Sequence, residues 1–138
     1  MFERGGEVVA AARALIGTPF RHQGRLPGVG LDCAGLGIAV AKSIGIDITD
    51  FSGYPRTPFD GMLKKMFDVQ DYLQQIDINN IEAGDVLLLR IKSAPQHVAI
   101  YVGGGYMVHA YQTVGKVVEQ RIDETWNKKI VAAYRFSI

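Results

Sequence analysis

The sequence has a single cysteine, Cys33, so no internal disulfide can form. It has no run approaching the ~20 apolar residues that a membrane-crossing helix needs, so no membrane span is expected. Met1 to Glu7 carry charge where a secretory leader needs an apolar stretch, so no signal peptide is expected either. An excess of charge is also missing, with 15 Lys plus Arg against 14 Asp plus Glu. Binders of a phosphate backbone gather a basic surplus, so nucleic acid is not the expected partner. There is no repeat, low-complexity tract or linker. With 138 residues, the expectation is one domain, 1–138, closing one core.

Residues 7–16 are rich in helix formers and are stopped by Gly17 and Pro19. Residues 20–31, with Gly24, Pro27, Gly28 and Gly30, read as an irregular loop. Cys33 to Ile44 lacks strict alternation and is full of small residues, which suits a buried helix packed closely on a sheet. After a connection over 46–59, Asp60 can cap a third helix running to about Gln74. Its inward stripe would be Met62, Leu63, Met66, Phe67 and Leu73. Beyond Gly84 the period changes to two, and 85–91, 97–102, 106–110, 117–121 and 130–136 read as short strands. Helices first and hairpin-linked strands after argue for an α+β fold with an antiparallel sheet.

Asp32 is a good N-cap, which puts Cys33 at the first helical position. The helix dipole and exposed N–H groups there favour a thiolate and predict a lowered thiol pKa. Backbone N–H groups at the same helix start would form the oxyanion hole. A nucleophilic thiol needs a base, and the base needs a third group to orient it. His97 opens an alternating strand and His109 lies on the next one. An odd-length loop between the strands places both on one face, whereas an even loop without a bulge separates them. Cys33 as nucleophile, His97 as base and His109 as orienting group fill the three roles. A zinc site from the same residues is the chemical rival, but no short-spaced ligand pair supports it, so no metal and no cofactor are expected.

Four motifs in order resemble the NlpC-like cell-wall peptidases, a compact branch of the papain-like cysteine enzymes. They are Asp32-Cys33-Ala34-Gly35, Gly84-Asp85-Val86, His97-Val98-Ala99-Ile100-Tyr101-Val102-Gly103 and His109-Ala110, with 109 − 97 = 12 between the histidines. The resemblance implies a minimal papain-like fold: helices on a five- to six-stranded antiparallel sheet, with the cysteine at the N-terminus of a buried helix. It also implies hydrolysis of peptidoglycan stem peptides, at the bond between D-glutamate (through its γ-carboxyl) and a diamino acid. The blocks 17–25 and 28–31 resemble the phage branch, which implies tail-tip protein partners, synthesis in the bacterial cytoplasm and a place on a virion tail.

The sequence departs from the family pattern at Phe20, where many relatives carry a tyrosine whose hydroxyl reaches the nucleophile or substrate. Either His22 or Tyr101 takes over that polar role, or the role is missing. Arg21, with Arg25, is expected to meet an acidic stem peptide, and Asp32 completes the substrate-contact set with Phe20, His22 and Tyr101. Asp85 is expected to fix a turn and Trp126 to anchor the core or its rim. Two other roles fit the scaffold: a structural tail-assembly module, or an amidase or acyltransferase using the same thioester chemistry.

Overall fold

A computed structural model describes residues 4–50, 62–91 and 94–137. In chain order its elements are α1 (Gly5–Arg13), β1 (Arg25–Leu26), β2 (Gly30–Leu31), α2 (Cys33–Ser43), α3 (Met62–Asp68) and β3 (Leu73–Ile76). A 3-10 turn (Ile78–Asn80) then leads to β4 (Val86–Ile91), β5 (Ala94–Gly103), β6 (Tyr106–Tyr111), β7 (Lys116–Arg121), α4 (Glu124–Asn127) and β8 (Ile130–Phe136).

Six strands form one antiparallel sheet in the order β3-β8-β4-β5-β6-β7. The sheet is apolar on both faces. On one side Val86, Leu88, Val98, Ile100, Val108 and Ala110 pack with the buried faces of α1 and α2, including Val8, Leu36 and Val40. On the other, Leu87, Leu89, Ala99, Met107 and Ala133 close a smaller core under Trp126 of α4. The α+β fold with helices on a six-stranded antiparallel sheet is the one expected.

Two segments differ from the expected elements. The third helix ends at Asp68 instead of continuing to about Gln74, and Leu73 lies in β3. Residues 73–76 pair with β8 from Leu73↔Phe136 to Ile76↔Ala133. Those backbone bonds on a sheet edge outweigh the helical pattern. Gln70 closes the helix end, its side chain accepting from the Thr49 N–H and donating to the carbonyls of Thr49 and Met66. The proposed cap Asp60 lies outside the described residues, as do most of the 46–59 connection and part of 92–96. The second difference is in the loop at 20–31, which contains the two-residue hairpin β1–β2. A further strip at 17–20 borders β7: the Gly17 N–H donates to the Val117 carbonyl, and the Phe20 N–H to that of Gly115.

Candidate active site

Asp32 caps α2 as predicted, its Oδ1 accepting from the Gly35 N–H at 2.8 Å. The same carboxylate also ties down the preceding loop. Its Oδ2 accepts from the Gln23 N–H at 2.9 Å and its Oδ1 from Arg25 Nη1 at 3.0 Å. Asp32 is buried, and Arg25 reaches on to Asp50 at 3.0 Å. A Cβ on Gly35 would collide with the carbonyl oxygen of Gly24. This close approach is the physical reason for glycine two residues after the cysteine: the loop lies directly on the first turn of the helix. Asp32, expected among the substrate contacts, therefore has its described bonds within the protein itself.

Cys33 stands at the first position of α2 and is partly exposed. Its sulfur is bonded by the backbone of Val98, of Ala34 and of Cys33 itself. These bonds stabilise a thiolate, but desolvation acts more strongly and Asp32 adds like-charge repulsion, so the thiol is pushed up to about 12. The expected lowering of the thiol pKa is thus corrected, because burial outweighs the helix terminus.

The hairpin brings the two histidines together. The loop inside Gly103↔Tyr106 is the two residues Gly104 and Gly105, and a bulge between Tyr101 and Gly103 sets the register Tyr101↔Met107 and Ile100↔Val108. His97 and His109 therefore share a face as diagonal neighbours, with His97 Nε2 2.7 Å from His109 Nδ1. That face is the one away from α2. His109 stacks on Tyr111 with ring centroids 5.2 Å apart, and Trp126 meets His109 edge-on at 5.4 Å. Burial among these rings, and then the neighbouring His109, lower the pKa of His97 to about 3. Burial likewise lowers that of His109, against the opposing effect of its bond to the Gln120 side-chain oxygen. Burial thus favours the neutral form of the thiol and of both imidazoles.

Cys33 meets the strand at Val98, the residue after His97. The β5–β6 pairs run from Gly103↔Tyr106 to Ile100↔Val108 and stop short of the histidines. The sulfur approaches β5 from the helix side at this break in the ladder, and the histidines approach from the opposite face.

The remaining predicted residues divide into two groups. Phe20, Arg21 and His22 line one open groove with Pro19. Phe20 bridges to Leu31, two residues before Cys33, and packs against the helix-side core. Tyr101, by contrast, is four residues along β5 from His97, a separation of about 13 Å at the rise of a strand. Its hydroxyl accepts from the Gly105 N–H at 3.1 Å, closing the hairpin turn. Tyr101 is thus placed at the hairpin turn, with its hydroxyl engaged there. Asp85 is fully buried, accepts from the Glu82 N–H and is held by Arg135 at 2.8 Å, which is the turn-fixing role expected. No group of three or more His, Cys, Asp or Glu suited to a metal occurs among the described residues.

Sequence reasoning missed Gln120, whose Oε1 lies 2.8 Å from His109 Nε2. The register of β7 on β6 carries the signal. Met107↔Gln120 and His109↔Val118 make Gln120 a same-face diagonal neighbour of His109. Trp126, expected only as an anchor, packs against both histidine rings.

Residues 17–135 match the NlpC/P60 family. The chain is 28% identical over 133 residues to the gamma-D-glutamyl-L-lysine dipeptidyl-peptidase of Bacillus subtilis (strain 168), covering 94% of this chain and 40% of that protein. It is 28% identical over 72 residues to the murein DD-endopeptidase MepS/murein LD-carboxypeptidase of Escherichia coli (strain K12), covering 52% of this chain and 38% of that protein. It thus spans about two fifths of the length of these relatives. Among solved structures, the NlpC/p60 domain of the peptidoglycan hydrolase SagA superposes with a TM-score of 0.69 at 27% identity, covering 97% of this chain and 98% of that one. With a family match over nearly the whole sequence and a shared architecture, the chain belongs to the NlpC/P60 family.

Proposed function

We propose that the protein is a cysteine endopeptidase of peptidoglycan stem peptides. The observation that carries this is the His97–His109 contact at 2.7 Å, on the strand whose next residue, Val98, bonds the Cys33 sulfur. His97 Nε2 is committed to His109, which leaves Nδ1 as the nitrogen for the thiol. Cys33 Sγ attacks the scissile carbonyl carbon as its proton passes to His97 Nδ1. Backbone N–H groups at the start of α2 stabilise the oxyanion. The tetrahedral species then expels the amine, which takes the proton from His97. Water, deprotonated by His97, hydrolyses the thioester and restores the thiol. Because burial favours the neutral thiol and the neutral imidazole, the proposed proton transfer accompanies attack.

The D-γ-glutamyl–diamino acid bond is the proposed target. The Bacillus relative, named for γ-D-glutamyl-L-lysine cleavage, supports this. The groove at Phe20, Arg21 and His22 is the proposed substrate entrance, where Arg21 meets the carboxylates of the stem. The phage-like sequence of 17–31 supports a place on a virion tail beside tail-tip proteins. Mass spectrometry of purified tails tests that placement.

The test of activity is incubation with purified peptidoglycan, or with a stem tripeptide, followed by detection of new amines. Wild type should release them and Cys33→Ala should not. Release by the variant would overturn the mechanism. The second reading is a structural tail-assembly module that keeps the fold. Absence of release from both proteins, with tail assembly intact in the variant, would select it.

A further inference from the structure

The mechanism needs His97 in one of its two neutral forms, and the His97–His109 contact does not choose between them. If the proton of His97 sits on Nε2, Nδ1 is a lone pair able to receive the thiol proton. If His109 instead donates from its Nδ1 to His97 Nε2, the proton of His97 is confined to Nδ1 and the base is blocked. Both arrangements keep the 2.7 Å bond. His109 is fully buried, so its protein partners decide.

We propose that Gln120 is the positioning residue that makes this choice, by holding His109 as its Nε2–H tautomer. This rests on the Cys33–His97–His109 reading of the site. Gln120 Oε1 lies 2.8 Å from His109 Nε2, and a carbonyl oxygen only accepts. His109 Nε2 therefore carries the proton, and in the neutral ring Nδ1 is an acceptor. His97 must then donate to it from Nε2, which leaves His97 Nδ1 open toward the nucleophile. The order is enforced from β7 through β6 to β5, two strands away from the sulfur. Gln120 reacts with nothing and no proton leaves it. Its bond also favours a protonated His109 ring, as an acceptor should.

The direct test is the ring-nitrogen spectrum of protein carrying 15N-labelled histidine at neutral pH. Both His97 and His109 should appear as Nε2–H tautomers. A proton on Nδ1 of His109 overturns the proposal whether or not the protein cleaves stem peptides, so its failure is distinct from failure of the peptidase reading. Two variants separate positioning from packing. Gln120→Met keeps the length but removes the acceptor, while Gln120→Glu keeps an oxygen that can only accept. Gln120→Met should lower kcat on the stem tripeptide by about 10- to 100-fold with KM unmoved. Gln120→Glu should restore it. Equal loss in both variants, or full activity and unchanged tautomers in Gln120→Met, overturns the assignment.

Discussion

Acidification should destabilise this protein through His97 well above the pH at which its carboxylates titrate. The ring is buried, and its pKa falls from 6.5 to about 3 on folding. A depressed folded value means that the stabilisation is present above the unfolded pKa of 6.5 and is lost as pH falls toward 3. Between pH 7 and pH 5 the loss from this one group is about 2 kcal/mol, at 1.36 kcal/mol per pKa unit. That figure comes almost wholly from the unfolded value, because at pH 5 the folded ring is still neutral. By pH 4 it grows to about 3 kcal/mol. Urea denaturation from pH 7 to 4 on wild type and His97→Asn measures it. The variant starts lower, having left His109 Nδ1 without its donor, but its curve should fall less steeply by that amount. Parallel curves for the two proteins would falsify the burial of a neutral His97.

The remaining predictions concern the thiol and the helix start. Raised from 9.0 to about 12, Cys33 should hold about a thousandfold less thiolate at pH 7 than a free cysteine. Alkylation by iodoacetamide should therefore be slow at neutral pH and climb tenfold per pH unit beyond pH 9. A reactive plateau at neutral pH would instead show a preformed thiolate–imidazolium pair. Gly35→Ala drives a methyl group into the Gly24 carbonyl and should cost about 1–3 kcal/mol in urea denaturation, with accelerated proteolysis of the 20–31 loop. Unchanged stability and proteolysis would rule out the close approach. Asp32→Ala removes the cap together with one of the two carboxylates that hold Arg25, and should cost at least about 1 kcal/mol. Asp32→Asn keeps a cap but not the ion pair and should fall between that variant and wild type; a reversed order would contradict this account.

Local signals carried far in this chain where the physics is local. A capping aspartate followed by small residues marked the start of α2 at Cys33, and alternation marked β8 at Ile130–Phe136, both as found. The shared face of His97 and His109 depended on the hairpin turn, and it is the bulge between Tyr101 and Gly103, next to a two-residue loop, that produces it. What escaped depends on pairing between distant segments. Leu73 fitted a helical stripe, yet β8 recruits it to the sheet edge. Gln120 needs the β6–β7 register, which no run within β7 encodes. The thiol pKa was read from the helix terminus, a local effect, and was reversed by desolvation, which depends on the packing of the whole site.

The break in the β5–β6 ladder links these observations. Cys33 belongs to the helix-side core, while His97 and His109 sit on the opposite face beside Trp126. An intact ladder would close the sheet between a sulfur on one face and imidazoles on the other. Here the pairs stop at Ile100↔Val108, and the backbone of Val98 bonds the sulfur. On that face the side chains hold one another, His97 by His109, His109 by Gln120 and both rings by Trp126 and Tyr111, while the backbones of His97 and His109 pair with Leu89 in β4 and Val118 in β7. The same aromatic packing desolvates both imidazoles, and burial disfavours their charged forms.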